Sequence, residues 1–333
     1  MAVTGTGTQA DPFIVHSYSE FISLSAHSPV DNGWTYIKWF DTPNQVLDCN
    51  EYGSEFKWDT FSAYGGNYTA KGIDIDLNGC TIKNLIIADG KAMFNGHFDS
   101  ANSRKHQLRV HDGSIRNVFL GSATSRFVDG AYVEFSNVSI SVNMMGSTVP
   151  MFNNDQEINN SLLMDNCALY LVASTLSTFI FNQIVMTDTD IELHITDQNN
   201  KPIFEGTFSD STRQSKITDC RIQGKIGGKG FKNNYTNARV VLGALNSGDM
   251  YANNAAIFTN CVIDVDLTDS EMNHILYTTD GGVSINTNVI CISHVPNGYV
   301  APSAPNYLSH SDMRSYSALT NAGFTVVEVV DGD

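Results

Sequence analysis

The sequence is short of charge, and above all of positive charge. Only 16% of the 333 residues are charged, and 35 acidic residues outnumber 19 lysines and arginines, so the formal net charge is −16. A nucleic-acid binder needs a basic face, and docking on an anionic membrane needs clustered lysine and arginine. The composition therefore argues against nucleic acid and membrane surfaces as partners.

Long hydrophobic runs are also missing. No segment approaches the roughly 18 apolar residues of a membrane-spanning helix, which argues against membrane insertion. The opening stretch, MAVTGTGTQADPF, has neither the basic region nor the apolar region of a secretory signal. We therefore expect synthesis in a cytoplasm and, if the protein reaches the outside, release by a route such as lysis.

The six cysteines lack the close pairing that metal sites need. No C-x-x-C pair occurs in the chain, so we expect no metal centre built on cysteine. Without a secretory signal, the cysteines are expected to be reduced rather than bridged. Their positions therefore need an explanation other than disulfides or metal ligation.

Helical periodicity is absent from the middle of the chain, where a short word recurs instead. The word is Asn, Asp or Gly, then a small or polar residue, any residue, and finally Ile, Val or Leu. It occurs as GCTI (79–82), DGSI (112–115), NVSI (137–140), NCAL (166–169), DTDI (188–191), DCRI (219–222), NCVI (260–263) and NTNV (286–289). Its intervals of 22 to 41 residues are typical of repeat architectures.

Alternating aliphatic residues follow most of these words, as in Ile191, Leu193 and Ile195. This period of two is typical of a half-buried strand, and Asn, Asp or Gly tolerates the left-handed backbone of a sharp turn. Stacked turn–strand units predict an all-β fold, a right-handed parallel β-helix of about eight or more coils. The alternative is an antiparallel sandwich or barrel, whose turns recur every 8–12 residues or so without a shared word.

Four cysteines occupy one slot of the word, two residues before its aliphatic end. In the other repeats this slot holds Gly113, Val138, Thr189 and Thr287. Small residues of different chemistry at one slot indicate a structural ladder of buried side chains, not a nucleophile or ligand set. The cysteines of the predicted ladder are Cys80, Cys167, Cys220 and Cys261.

Both ends of such a stack need caps, because open ends would recruit other chains. We divide the chain into an amino-terminal cap (1–45), the β-helix (46–305) and a carboxy-terminal cap (306–333). Ser17 and Glu20 form a capping box that predicts a short helix to about Ala26. A helix over 311–322 and a strand over 325–330 are predicted at the other end.

All three tryptophans lie near the amino end, at Trp34, Trp39 and Trp58. They could form an aromatic platform for sugars, but we favour a hydrophobic plug on the first coil.

Two pairs of acidic residues are candidate catalytic carboxylates. Asp74 and Asp76 alternate with aliphatic residues, and so do Asp264 and Asp266, which directs each pair outward. Members of a pair would lie about 7 Å apart, compatible with two catalytic acids or with Ca²⁺. The pairs are some six coils apart, however, and neither strand carries Lys or Arg. We therefore favour a solvated surface over catalysis.

The segment SRKHQLRVH (103–111) concentrates positive charge in an otherwise acidic chain. Arg104, Lys105, Arg109 and His111 are candidates for a salt-bridged seam to another subunit or an acidic neighbour. The alternative is a charge-balanced surface loop. No third ligand is placed near His106 and His111, so no metal site is predicted there.

The segments GTGTQADPFIVHSYSEF (5–21) and GIDIDLNGCTIKNLII (72–87) carry a resemblance. They resemble the leader and a coil of pectin-lyase-like parallel β-helix proteins of bacteriophage particles, such as tail spikes, baseplate appendages and capsid fibres. The resemblance implies a location in the virion, contact with other virion proteins and with host-surface glycans, and side-by-side homotrimers. Because the leader begins near Met1, we expect attachment through the β-helix or its caps.

Three hypotheses follow from the residues and the resemblance together. The first is a non-enzymatic structural or adhesive component of a phage particle, without a cofactor. The second is a polysaccharide hydrolase or lyase on the same fold, for which Ca²⁺ could matter. The third is a β-helix adhesin of a bacterial surface, which the missing secretory signal argues against.

Overall fold

In a computed structural model, the described part of the protein consists mainly of short parallel strands. The described residues are 3–25, 27, 30–62, 72–96, 98–99, 104–105, 107–122, 124–130, 132–144, 151–153, 161–173, 179–180, 183–195, 204–206, 216–226, 240–242, 244–246, 257–259, 262–267, 274–276, 286–287, 290–292 and 317. The predicted carboxy-terminal helix and strand lie outside them, except for the helical residue Ser317. Among the described residues, no helix has the length and apolar character needed to cross a bilayer.

Most strands fall into three columns, in which each strand pairs in parallel with the equivalent strand of the next repeat. The first column contains Phe13–Val15, Trp34–Trp39, Gly72–Asp76, Ser161–Asp165, Gln183–Thr187, Lys216–Thr218, Ile257–Thr259 and Asn286–Thr287. The second contains Val46–Asp48, Thr81–Ile87, Ala168–Ala173, Asp190–Ile195, Arg221–Ile226, Val262–Leu267 and Ile290–Ile292. Two long strands, Gln107–Leu120 and Tyr132–Met144, run through both columns and join them into one 17-stranded sheet.

The third column is a separate seven-stranded sheet. It contains Phe61–Ser62, Ala92–Gly96, Arg126–Gly130, Phe152–Asn153, Phe179–Ile180, Phe204–Gly206 and Ala244–Asn246. Two short pairs lie outside the columns: Phe98–Asp99 with Arg104–Lys105, which is antiparallel, and Val240–Leu242 with His274–Leu276, which is parallel. Because the columns are parallel, the antiparallel sandwich or barrel is wrong for the described strands.

The aliphatic end of the repeated word fixes the register of the second column. One continuous row of Cα partners contains Ile82, Ile115, Ile140, Leu169, Ile191, Ile222 and Ile263. Seven of the eight predicted positions therefore stack as expected. The eighth was wrong: Ile263 pairs with Cys291 rather than with Val289, and Val289 lies outside the described residues.

A left-handed residue marks the corner between the first and second columns. From Gly72–Asp76 onward, the positive φ angles at the described corners belong to Asn78, Gly79, Asp112, Asn137, Asn166, Asp188 and Asp219, and the corner before Val46–Asp48 has them at Phe40 and Asn44. Asn137 donates from Nδ2 to Oδ1 of Asp112 at 2.8 Å, and Asn166 donates to Oδ1 of Asn137 at 2.7 Å. Asn and Asp suit this corner for two reasons. They tolerate the left-handed backbone, and their side chains link successive repeats.

The cysteine slot lies just inside this corner. Cys80, Cys167 and Cys220 are buried and form no disulfide. Cys220 donates from Sγ to the carbonyl oxygen of Thr218 at 3.1 Å, and Thr189 donates from its hydroxyl to Thr187 at 2.8 Å. Thiol and hydroxyl thus make the same bond to the carbonyl two residues back. Cys261 lies outside the described residues.

The amino end is closed by a short helix and a cluster of aromatic rings. The helix spans Tyr18–Ser23, shorter than predicted, and Ser17 caps it by accepting a hydrogen bond from the amide of Glu20. Phe21 stacks on Phe61 with ring centroids 4.1 Å apart and lies 5.0 Å from Trp39 and 5.7 Å from Trp58. We call Phe21, Trp39, Trp58 and Phe61 the aromatic plug. A 3₁₀ helix, Cys49–Tyr52, follows the first strand of the second column.

Aromatic rings also fill the core between the first and third columns. Phe135 of the first column lies 6.2 Å from Phe94, 6.0 Å from Phe127 and 6.5 Å from Phe152 of the third. All four side chains are buried. The outward side chains of the columns are therefore the ones available to ligands and partners.

Candidate functional site

Residues from three separate sequence predictions meet on the outer face of the first column. Asp74 belongs to a candidate carboxylate pair, and its Cα partner on the next strand is Arg109 of the basic segment. His111 lies opposite Asp76 in the same pairing. Trp34 lies on the preceding strand, directed outward by the alternation of buried and half-buried residues in Trp34–Trp39. We call Trp34, Asp74, Arg109, His111, Asp112 and Glu134 the polar cluster.

His111 is held between two carboxylates. Its Nε2 lies 2.8 Å from Oδ1 of Asp74, and its Nδ1 lies 2.8 Å from Oδ2 of Asp112. The hydrogen bond to Asp74 is the strongest influence on the pKa of His111 and, with the bond to Asp112, raises it to about 9 against the opposing effect of burial. His111 is therefore an imidazolium cation at neutral pH, and both of its N–H groups donate to carboxylates.

Asp112 is the complementary case. Burial raises the pKa of Asp112, but hydrogen bonds from His111 and from Nδ2 of Asn137 outweigh that effect and lower the pKa overall. The carboxylate is thus kept ionised beside the imidazolium and also anchors the corner ladder.

Arg109 lies between an aromatic ring and two acids. Its guanidinium carbon lies 4.3 Å from the centroid of the Trp34 ring, in cation–π geometry. Its Nε lies 3.2 Å from Oε2 of Glu134, and one terminal nitrogen lies 4.0 Å from Oδ2 of Asp74. Arg109 therefore connects side chains from four successive strands of the first column.

The polar cluster is arranged for ion pairing rather than for acid–base catalysis. A general base needs a free lone pair, whereas both ring nitrogens of His111 are engaged with carboxylates. Asp74 faces His111 and Arg109, and Asp76 accepts the amide of Asn78 at 2.6 Å. The two acids of the candidate pair are therefore committed to contacts within the chain.

One triad of side chains has the spacing of a cation site. Ligand atoms of Asp76, His111 and Asp112 lie within 4.8 Å of one another. A metal ion would need a lone pair on His111, and the two carboxylates on its ring nitrogens favour the protonated form instead. This triad is consequently better explained by the ion pairing of His111 within the chain.

The remaining predicted site residues lie elsewhere. Asp264 and Asp266 lie in the second column, where their Cα partners are Gln223 and Lys225, and their side chains are outside the description. They are therefore on a different column from Asp74. Arg104 and Lys105 form the short antiparallel strand, also without described side chains. Trp39 and Trp58 are buried in the aromatic plug, whereas Trp34 is half-buried in the polar cluster.

Two members of the polar cluster were missed in the sequence. Glu134 lies between the aliphatic residues Val133 and Phe135, so alternation alone directs it outward. Asp112 was treated only as the turn residue of its word. The signal available for both was the pairing of repeats, since Glu134 is the Cα partner of Arg109 one repeat later.

We expect the raised pKa of His111 to appear as a pH-dependent stability. Its stabilising contribution is complete below the ordinary histidine pKa of about 6.5 and is lost as the pH rises through about 9. Allowing for partial exposure, the loss should be on the order of 2 kcal/mol. Urea unfolding of the wild type and of His111→Gln, measured from pH 6 to pH 10, checks this. Their difference in stability should shrink as the pH rises, and a constant difference contradicts it.

Comparisons with protein-family models, with curated proteins and with solved structures return no match to this chain.

Proposed function

We propose that the protein is a right-handed parallel β-helix that serves as a non-enzymatic structural and adhesive component of a bacteriophage particle. The observation that carries the proposal is the row of seven aliphatic residues from Ile82 to Ile263. Such a row needs the chain to return to the same place once per repeat. A stack of this kind is a stiff rod whose length grows with the number of repeats, which suits a spike or fibre.

The non-enzymatic part of the proposal is supported by the polar cluster. The candidate acid Asp74 is only 15% exposed at its side chain and faces both His111 and Arg109. Acids that act on glycosidic bonds must reach the substrate and exchange protons with it. Ion pairs that link three strands instead favour a structural role for this face.

The place in the virion rests on the resemblance of the leader and of the 72–87 coil to phage β-helix proteins. We further propose that the protein forms a homotrimer, contacts other virion proteins and touches glycans of the host surface. The excess of acidic residues agrees with a protein that neither packages nucleic acid nor inserts into a membrane.

The experiment that tests this proposal is mass spectrometry of gradient-purified phage particles, with light scattering of the purified protein. Peptides of the chain should occur in the particles at a constant ratio to the major capsid protein. The soluble protein should scatter with about three times the chain mass of 36.4 kDa. Absence from the particles overturns the virion role, and a monomer at micromolar concentration overturns the trimer.

A further inference from the structure

A groove lies on the outer face of the second column, away from the polar cluster. Its volume is about 250 Å³. Three small residues, Ser139, Ser141 and Ala168, line it on adjacent strands, and Tyr170 beside them leaves 43% of its surface exposed. Small side chains next to a large ring create a depression on an otherwise regular strand face. We call this depression the axial groove, because its lining follows the column.

The axial groove spans five strands of the stack. It begins at Arg116 on the strand Gln107–Leu120 and ends at Arg221 on the strand Arg221–Ile226. Four steps between paired strands amount to roughly 19 Å. A cleft of this length accommodates an extended chain rather than a single small molecule.

Three of the four charged residues that line the axial groove are unpaired, in contrast to those of the polar cluster. Among the described residues, the side chains of Arg116, Asp190 and Arg221 make no hydrogen bond or ion pair, and all three are exposed. Asp190 and Arg221 are Cα partners on adjacent strands, yet they are not bonded to each other. The groove therefore offers donors and acceptors whose bonds are not used within the chain.

Two other groups in the axial groove are held in place by neighbours. One carboxylate oxygen of Glu192 is hydrogen-bonded to Nε2 of His194 at 2.7 Å. The other accepts a hydrogen bond from Nε2 of Gln223 at 3.5 Å. The ring of Tyr170 packs against that of His194 with centroids 5.2 Å apart. Because the Glu192 carboxylate and the Tyr170 ring are already held in place, binding a ligand would cost less side-chain entropy.

We propose that the axial groove binds a neutral oligosaccharide. Carboxylates accept hydrogen bonds from pairs of sugar hydroxyls, and arginines donate hydrogen bonds to ring and hydroxyl oxygens of sugars. A tyrosine ring packs on the apolar face of a sugar. Two arginines and two carboxylates cancel, and the chain's net charge of −16 repels acidic polymers. The inference rests on the proposed glycan contact and assigns it a place and a sugar class.

The test is binding of the purified protein to a microarray of bacterial surface oligosaccharides that includes neutral and acidic members. Wild type should bind a neutral member. Tyr170→Ala should bind it about tenfold more weakly, and Ser141→Trp should abolish binding because indole fills the depression. Ser136→Trp is the matched control, since Ser136 is a half-buried serine on the same strand but in the first column. Circular dichroism of each variant verifies folding.

The outcomes separate this inference from the proposed function. Binding that survives both groove variants, or binding only to acidic glycans, overturns the groove and leaves an adhesive role intact. No binding to any neutral member also overturns it, while incorporation into particles is tested independently. New reducing ends that appear on the bound glycan with wild type but not with Glu192→Gln support the groove and overturn the non-enzymatic role.

Discussion

Replacing Phe21 by alanine should lower the stability of the amino-terminal repeats by about 3–5 kcal/mol. Phe21 is 1% exposed and is the side chain of the helix Tyr18–Ser23 that belongs to the aromatic plug, where it contacts Trp39, Trp58 and Phe61. Truncation removes both the buried surface and the ring contacts to Phe61, Trp39 and Trp58. The helix would keep the ring of Tyr18, whose centroid lies 4.8 Å from those of Trp58 and Phe56, and the Tyr18 hydroxyl, which accepts the amide of Asp59 at 2.9 Å.

The loss should be local, because the strands pair with the equivalent strands of neighbouring repeats. All three tryptophans lie in the first 58 residues, so their fluorescence reports the amino-terminal repeats, while far-ultraviolet circular dichroism reports the whole sheet. In urea, the fluorescence transition of Phe21→Ala should shift to lower concentration more than the dichroism transition does. Phe119→Ala is the control, since Phe119 is 46% exposed and its loss should cost less than about 0.5 kcal/mol. Equal shifts of the two transitions would show that the plug does not act locally.

The second column and its corner could be predicted from the sequence because every repeat has the same structural requirements there. A left-handed corner residue and an inward aliphatic residue three positions later are needed in every repeat, so they recur as a word. Asp112, Asn137 and Asn166 show positive φ angles as that word requires. The third column has no comparable signal, because its strands are as short as the two residues of Phe61–Ser62. Its described buried residues are mixed, with Met93 and Val128 beside Phe61, Phe94, Phe127 and Phe152, and no turn residue precedes them at a fixed distance.

The polar cluster could be predicted only in pieces. Alternation directs Asp74 and Arg109 outward, but their pairing depends on the number of residues in each corner. The corner after Asp76 holds four residues, from Leu77 to Cys80, before the second column begins at Thr81. In the next repeat the second-column register resumes at Ser114, so Asp76 pairs with His111 at a spacing of 35 residues while Thr81 pairs with Ser114 at 33. The spacing of the word therefore cannot reveal the register of the first column.

Replacing Gly113 by valine should lower the free energy of unfolding by about 3 kcal/mol, although Val138 fills the same slot one repeat later. A Cβ atom at position 113 would lie 2.5 Å from Cβ of Leu77 and 2.7 Å from the carbonyl oxygen of Cys80. That oxygen accepts the amide of Ser114 at 2.9 Å, so the backbone of Cys80 cannot retreat without weakening the ladder. The slots of the column are therefore alike in position but not in available space.

The preceding repeat has a four-residue corner, from Leu77 to Cys80. Leu77 and the carbonyl group of Cys80 in this corner occupy the space that a valine side chain would need at position 113. Cys220→Thr is the matched control, because Thr189 already makes the corresponding hydroxyl bond one repeat earlier. Its cost should stay below about 1.5 kcal/mol. Urea unfolding followed by circular dichroism measures both variants. If Gly113→Val is as stable as Cys220→Thr, the corner at Leu77 can relax, and the small residue at 113 is not required by packing.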